Sequence, residues 1–248
     1  MSVVFVSDRK VKALEELPTL CRVLEVSKED GDCDCKRSYN SFEVRARRSK
    51  KTRMIDAPCP HLKLIQRAVL DKLLTLVTPH DAAMAFVRGR SIVINARRHH
   101  GASHLFTTDI RSFFSSVKTA HVEDMLKTRF PHFSRDFCEE IVGLVTHGGQ
   151  LPQGAPTSPH IANLVMLSFD ELCKVEADRL NAVYTRYADD ICVSSHDAAS
   201  LRRMENVTRM GRRCLSGRRR TLVRMTALRT RALALKLHVT SQALLGFF

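Results

Sequence analysis

The stretch Tyr184-Thr185-Arg186-Tyr187-Ala188-Asp189-Asp190-Ile191-Cys192-Val193 constrains this chain most. Two adjacent carboxylates stand between Ala182, Val183 and Tyr184 on one side and Ile191, Cys192 and Val193 on the other. β-Branched and aromatic runs around a polar dipeptide read as a hairpin with the acids at its tip. Two carboxylates side by side repel each other, and a divalent cation relieves that cost. Mg²⁺ suits such a place, because it takes one or two carboxylates and leaves positions for phosphate oxygens and water. An isolated Asp-Asp is usually a solvated turn, so the assignment depends on its surroundings.

A further carboxylate is expected from Asp109, which ends the apolar, β-prone run His104-Leu105-Phe106-Thr107-Thr108. Two ions held about 4 Å apart by such acids can activate a 3′-hydroxyl and stabilise a leaving pyrophosphate. Upstream of the hairpin, His147-Gly148-Gly149-Gln150-Leu151-Pro152-Gln153-Gly154 makes a flexible approach to a helix. Thr157 or Ser158 is expected to cap that helix, with Pro159 in its first turn. Ile161, Leu164, Val165, Phe169 and Leu172 are its expected buried stripe. Gly154 permits close backbone approach to a ligand.

These three segments carry a resemblance. Tyr187-Ala188-Asp189-Asp190 resembles the active-site hairpin of reverse transcriptases, and Asp109 to Phe114 resembles their first metal-binding strand. Leu151 to Pro159 resembles their nucleotide-contacting loop, and all three occur in the family's order. The resemblance implies that Asp109, Asp189 and Asp190 hold two Mg²⁺ ions and carry catalysis. It implies that Gln153 and Gly154 meet the incoming nucleotide. Phe114, five residues after Asp109, would lie under the sugar and leave no room for a 2′-hydroxyl. Phe113 is expected in the core.

The same resemblance extends through the first hundred residues. Ser38 to Thr52 reads as a basic ribbon or loop ending in Arg45, Arg47, Arg48, Lys50 and Lys51. Arg53, two residues before Ile55, is implied to contact the triphosphate, a task its planar fork suits. Lys50 and Lys51 are weaker candidates. Leu62, Ile65, Val69, Leu73 and Leu76 then keep a helical period, with Pro60 near its start. Phe86 to Ile92 is similar to the Gly-Arg-Ser segment of bacterial reverse transcriptases. Asn95-Ala96-Arg97-Arg98-His99 resembles a signature of the retron branch, in which the enzyme copies part of its own noncoding RNA. Arg88, Arg90, Asn95, Arg97, Arg98 and His99 are therefore expected to bind RNA. The alternative is a polar helix surface.

Composition sets bounds. A chain of 248 residues with 44% hydrophobic content can bury a sizeable core. No apolar run approaches membrane-spanning length, and the N-terminus shows no secretory pattern, so a cytoplasmic protein without a membrane partner is expected. None of the eight cysteines forms a CxxC pair, and Cys33-Asp34-Cys35 has the wrong spacing for a zinc knuckle. The net charge of +14 suits a polyanion partner. From Leu201 on there are 12 Lys and Arg against the single acid Glu205, whereas the first 200 residues hold 28 against 25. The charge therefore reports the tail rather than the catalytic body.

The expected fold is α+β: a right-hand polymerase palm, an antiparallel sheet backed by helices, with fingers and a truncated or atypical thumb. Residues 1–100 would be fingers and N-terminal region, 101–200 palm with a helical insert near 118–147, and 201–248 a basic tail. Two motifs expected beyond His196, Gly-Phe-x-x-Asn-x-x-Lys and the Val-Thr-Gly that opens a retron thumb, are not found. Three readings of the tail are open: a divergent RNA-binding helix pair, a disordered basic tail, or a frameshift product. The last accounts for both the composition break and the lost motifs.

The activity implied is RNA-directed DNA synthesis on a cognate structured noncoding RNA. The partners would be that RNA, an RNA–DNA hybrid and deoxynucleoside triphosphates, with an effector protein as a further candidate. Retron systems associate the activity with anti-phage defence. Two alternatives stand beside it: a group II intron-like reverse transcriptase, and a catalytically impaired module that binds RNA or an effector.

Overall fold

The computed structural model describes residues 38–45, 52–216 and 223–226. It divides into two compact units, one holding residues 1–78 and 117–165 and the other 79–116 and 166–248. Helices and antiparallel strands occur in both units, so the fold is α+β.

In the first unit β1 (Tyr39–Arg45) pairs antiparallel with β2 (Thr52–Pro58). The basic positions Arg47, Arg48, Lys50 and Lys51 lie outside the described residues. Helix α1 (Pro60–Lys72) starts with proline in its first turn, where no amide partner is lost, and buries Leu62, Ile65 and Val69 as their spacing requires. Gln66 is buried on the same face and donates to the Leu144 carbonyl and the Tyr39 hydroxyl, both at 2.8 Å. Helix α2 (Ile92–Arg98) belongs to the second unit, as do β3 (His104–Asp109) and the single turn α3 (Phe113–Ser116). Back in the first unit, α4 (Thr119–Arg129) packs on α5 (Arg135–Val145), which is capped by the Ser134 hydroxyl.

The run expected as one helix from Ser158 is two: α6 (Ser158–Val165) and α7 (Leu167–Arg179). Of the later apolar positions, on α7, Phe169 is buried but Leu172 is 53% exposed. Neither expected side chain caps α6. The Thr157 carbonyl accepts the first helical bond, from Ile161, but its own hydroxyl is buried without a partner among the described residues. The Ser158 hydroxyl donates instead to the Pro152 carbonyl at 2.7 Å, tying the preceding loop to the helix start.

The second unit is built on a four-stranded antiparallel sheet in the order β4 (Val183–Tyr187), β5 (Asp190–Ser195), β3, β6 (Val223–Thr226). Side chains alternate across a sheet, so register assigns each residue to a face. Tyr184 and Val193, Arg186 and Ile191, and Phe106 opposite Val193 share one face, and helices α7 and α8 (Ala198–Ser216) pack against these strands. Asp197 opens α8 by accepting from the amides of Ala199 and Ser200. The opposite face carries Thr185, Cys192, Ser194, Leu105 and Thr107; Ile92 and Ala96 of α2 close over Leu105 and Cys192. The remainder of the basic tail, 217–222 and 227–248, lies outside the described residues. Cys138, Cys173 and Cys192 are buried cysteines outside any disulfide.

Candidate active site

The acids of the second unit are positioned by strand register. Tyr187 pairs with Asp190, which leaves Ala188 and Asp189 as a two-residue turn. Ala188 has φ +55° and Asp189 is not in the left-handed region, the φ signs of a II′ hairpin turn, where glycine usually takes the first place. Asp190 is therefore the first residue of β5 and Asp189 sits in the turn, a finer placement than two acids sharing a tip. Across the ladder Asp109 lies directly opposite Asp190, and the Ile110 amide donates to the Asp189 carbonyl at 2.9 Å. Directly paired residues project from the same face with Cβ atoms about 5 Å apart. So β3 and β5 bring Asp109 and Asp190 together at one end of one face, with Asp189 adjacent in the turn.

The donor chemistry fits a hard divalent cation: carboxylate oxygens, exposed at Asp109 and part-exposed at Asp189 and Asp190. Among the described residues no group of three or more His, Cys, Asp or Glu side chains is placed so as to hold a metal ion, so the three acids are not gathered into one ligand set; the register pair Asp109 and Asp190 is what the ladder brings face to face. An open pair of carboxylates, completed by phosphate and water, is the arrangement Mg²⁺ favours over an all-protein cage.

Beneath the turn lies a group that the sequence did not reveal. Arg186 and Asp170 are both fully buried and form an ion pair with Nη2–Oδ2 at 2.6 Å and Nε–Oδ1 at 2.9 Å. The Tyr184 hydroxyl also donates to Asp170, at 2.7 Å. Burial pushes the Tyr184 phenol well above its usual range, and the neighbouring Asp170 carboxylate pushes the same way. The remaining Arg186 nitrogen, Nη1, donates to the Ala188 carbonyl at 2.9 Å, and the guanidinium carbon lies 5.9 Å from the Phe113 ring centroid. An arginine between two tyrosines in a strand reads as an outward side chain. Its partner lies 16 residues upstream on a helix, a pairing that local periodicity cannot show.

Phe113 is buried, as expected of a core residue. Phe114 is half-buried, with its ring centroid 5.6 Å from that of Phe113 and 6.2 Å from that of Phe86. Phe86 is itself held at φ +59°.

The remaining nucleotide-site candidates fall in the first unit. Arg53 is a part-exposed residue of β2. Three residues on, the Asp56 amide donates to the Gln153 carbonyl at 2.8 Å, so the Gln153-Gly154 loop is fastened to the strand that carries Arg53. Gly154 has φ +137°, and a Cβ there would stand 2.9 Å from the Asp56 carbonyl oxygen. Gly154→Ala is expected to cost about 1–3 kcal/mol through backbone strain and this clash, read as a lowered urea midpoint. An unchanged midpoint would show that the loop is free to move off β2.

The expected RNA-binding residues separate into three groups. Arg88, Arg97 and Arg98 are exposed. Arg90 is occupied: its guanidinium donates to the carbonyls of His80 and Ala83 at 2.6 and 2.8 Å and meets Asp81 at 2.9 Å. It thereby ties down the segment that runs beside the outer edge of β4, where the Arg186 amide donates to Ala82 and Met84 donates to the Arg186 carbonyl. Asn95 and His99 face inward, away from the surface that a direct RNA contact needs. Both side-chain polar atoms of Asn95 are buried without a partner among the described residues. His99, 3% exposed, lies between the Ser194 and Thr185 hydroxyls at 2.7 and 2.6 Å and anchors the end of α2 to the sheet.

Burial lowers the His99 pKa to about 4, and Arg98 adds to the effect. An unfolded histidine titrates near 6.5, so between these values the unfolded chain binds the extra proton. Stability is expected to be full above about pH 6.5 and to fall by roughly 3 kcal/mol as pH drops through that window to 4. Urea unfolding at pH 7 and pH 5 measures it, and His99→Gln should flatten the dependence.

Comparison with known proteins gives a consistent picture. A family model described as reverse transcriptase (RNA-dependent DNA polymerase) matches residues 36–218. The retron Mx162 reverse transcriptase of Myxococcus xanthus is 35% identical over 179 residues, 66% of this chain and 37% of that protein. The retron Ec73 reverse transcriptase of Escherichia coli is 37% identical over 164 residues, 61% of this chain and 52% of that one. The retron Mx65 reverse transcriptase of Myxococcus xanthus is 34% identical over 184 residues, 68% and 43% respectively. The chain thus matches between about a third and a half of the length of these relatives.

Proposed function

The chain belongs to the reverse transcriptase (RNA-dependent DNA polymerase) family, and from this we propose that it synthesises DNA on an RNA template by a retron-type reaction. The observation that carries the reading is the β3–β5 register, which sets Asp109 opposite Asp190 beside the Asp189 turn within the matched region. Asp109, Asp189 and Asp190 are the residues that would hold two Mg²⁺ ions. When bound, such ions lower the pKa of an attacking hydroxyl and neutralise charge on the departing pyrophosphate.

The chain's own residues supply position. Arg53 offers a planar fork to phosphate oxygens. Gln153 and Gly154 present a loop fixed to the same strand, open to a nucleotide because glycine removes the side chain. The Phe114 ring, backed by Phe86 and Phe113, forms a wall against a 2′-hydroxyl. The template would be a cognate structured noncoding RNA, held at its backbone by exposed Arg88, Arg97 and Arg98, while Asn95, His99 and Arg90 set the shape of that surface. The working compartment is the cytoplasm, with a role in defence against phage; no described helix is long and apolar enough to cross a membrane.

Primer extension on an RNA template with Mg²⁺ and deoxynucleotides tests the reading. Activity that survives Asp189→Asn with Asp190→Asn would remove it, whereas a wild-type chain that binds RNA but extends no primer would be a module that only binds RNA or an effector. Phe114→Val is expected to raise ribonucleotide incorporation about tenfold or more, since one lost steric contact is worth roughly 1–3 kcal/mol. The ratio of kcat/KM for the two sugars measures this, and an unchanged ratio would place the sugar elsewhere.

A further inference from the structure

We propose that Asp170, acting through Arg186, is a positioning residue for the metal-binding turn, with Tyr184 holding Asp170 in place; the proposal rests on the functional reading above. Ala188 is a non-glycine residue at φ +55°, a conformation that costs free energy unless its surroundings impose it. What surrounds it is buried: Ala188 is 1% exposed, and its carbonyl accepts from Arg186 Nη1.

A lone arginine could not hold that carbonyl in one place, because an unpaired guanidinium in the interior would be expelled toward water. Asp170 prevents this. It takes Nε and Nη2 in a two-point fork, which fixes the guanidinium plane and leaves Nη1 aimed at the turn. Tyr184 satisfies a further lone pair of Asp170. The chain of contacts runs from helix α7 through the sheet interior to the peptide that joins Ala188 to Asp189. The orientation of that peptide sets the direction in which the Asp189 and Asp190 carboxylates leave the backbone. None of Asp170, Arg186 and Tyr184 touches the ion or substrate in this account; they act through the backbone.

The test uses the full chain and Mn²⁺ alone as probe, with the unbound ion read by electron paramagnetic resonance. The Mg²⁺ dependence of primer extension is measured in parallel. Arg186→Lys keeps a cation beside Asp170 but cannot span both Asp170 and the Ala188 carbonyl. It is expected to weaken Mn²⁺ binding about tenfold and to raise the Mg²⁺ midpoint by a similar factor, as loss of an outer partner does at metal sites. The nucleotide KM at saturating Mg²⁺ should stay at the wild-type value, a split that a general loss of folded protein would not produce. Tyr184→Phe, which removes one hydroxyl, should shift Mn²⁺ binding the same way by less.

Wild-type Mn²⁺ affinity in a folded Arg186→Lys protein overturns the proposal. So does wild-type affinity in Tyr184→Phe when Arg186→Lys fails to fold. Unfolding of both overturns it as well, because the triad would then serve stability alone. Asp190→Asn separates the two levels of the argument. If that variant keeps wild-type Mn²⁺ binding and extension, the functional reading and this proposal both fall. If it loses them while Arg186→Lys keeps them, only the positioning role falls.

Discussion

Asp190→Asn is expected to reduce primer extension about a thousandfold while leaving the protein folded. The residue is part-exposed and stands at the start of β5 opposite Asp109, so the amide replaces the carboxylate without strain. The substitution removes one of two facing charges. Without a cation this is a gain, since like charges directly opposite one another in a sheet destabilise it. Thermal stability in metal-free buffer should therefore hold or rise slightly. Activity should collapse, because charge stabilisation by a bound ion is worth several kcal/mol and about 4 kcal/mol corresponds to a thousandfold in rate. Asp109→Asn should behave alike, as the other member of the register pair. Opposite movement of stability and activity is the signature of a functional acid pair. If activity falls only in proportion to stability, the acids are structural.

Arg186→Met is expected to have the largest effect on the fold itself. It leaves the Asp170 carboxylate, fully buried, without its counter-charge, and breaking such a pair from one side costs about 3–5 kcal/mol. The Asp170→Leu, Arg186→Met double variant should recover much of that loss, because two apolar side chains of similar volume bury no charge. Urea unfolding of the two single variants and the double completes the cycle. A single-variant loss below about 1 kcal/mol would mean that water reaches the pair. The double variant should remain impaired in extension even where stability returns, because nothing then holds the Ala188 carbonyl.

These two residues mark the limit of what the sequence discloses. The hairpin was legible because β-branched and aromatic runs bracket a polar pair, and the Asp109 strand because its apolar run ends in an acid. The helix at 60–72 was legible because proline and the apolar period agree about where it starts and which face it buries. Register was not legible. Whether Asp109 faces Asp190 or its neighbour is decided by long-range ladder bonds such as Ile110 to Asp189. The inward turn of Asn95, His99, Arg90 and Arg186 was missed for one shared reason. Polar side chains read as surface until a partner is known, and the partners of His99 lie 95 and 86 positions away. The break at Met166 was missed because the apolar spacing continues across it.

Strand β3 lies between two others, bonded to β5 on one edge and β6 on the other up to Thr108, whereas Asp189 belongs to a turn of two residues. The two sides of the acid pair are therefore unequal in compliance. Asp109 ends a strand that cannot shift without opening two ladders at once, so it serves as a fixed datum. Any accommodation between successive occupants, first a triphosphate and then its departing fragment, must be made on the opposite side, by rotation of the Asp189 and Asp190 carboxylates on a turn whose backbone is held at the Ala188 and Asp189 carbonyls.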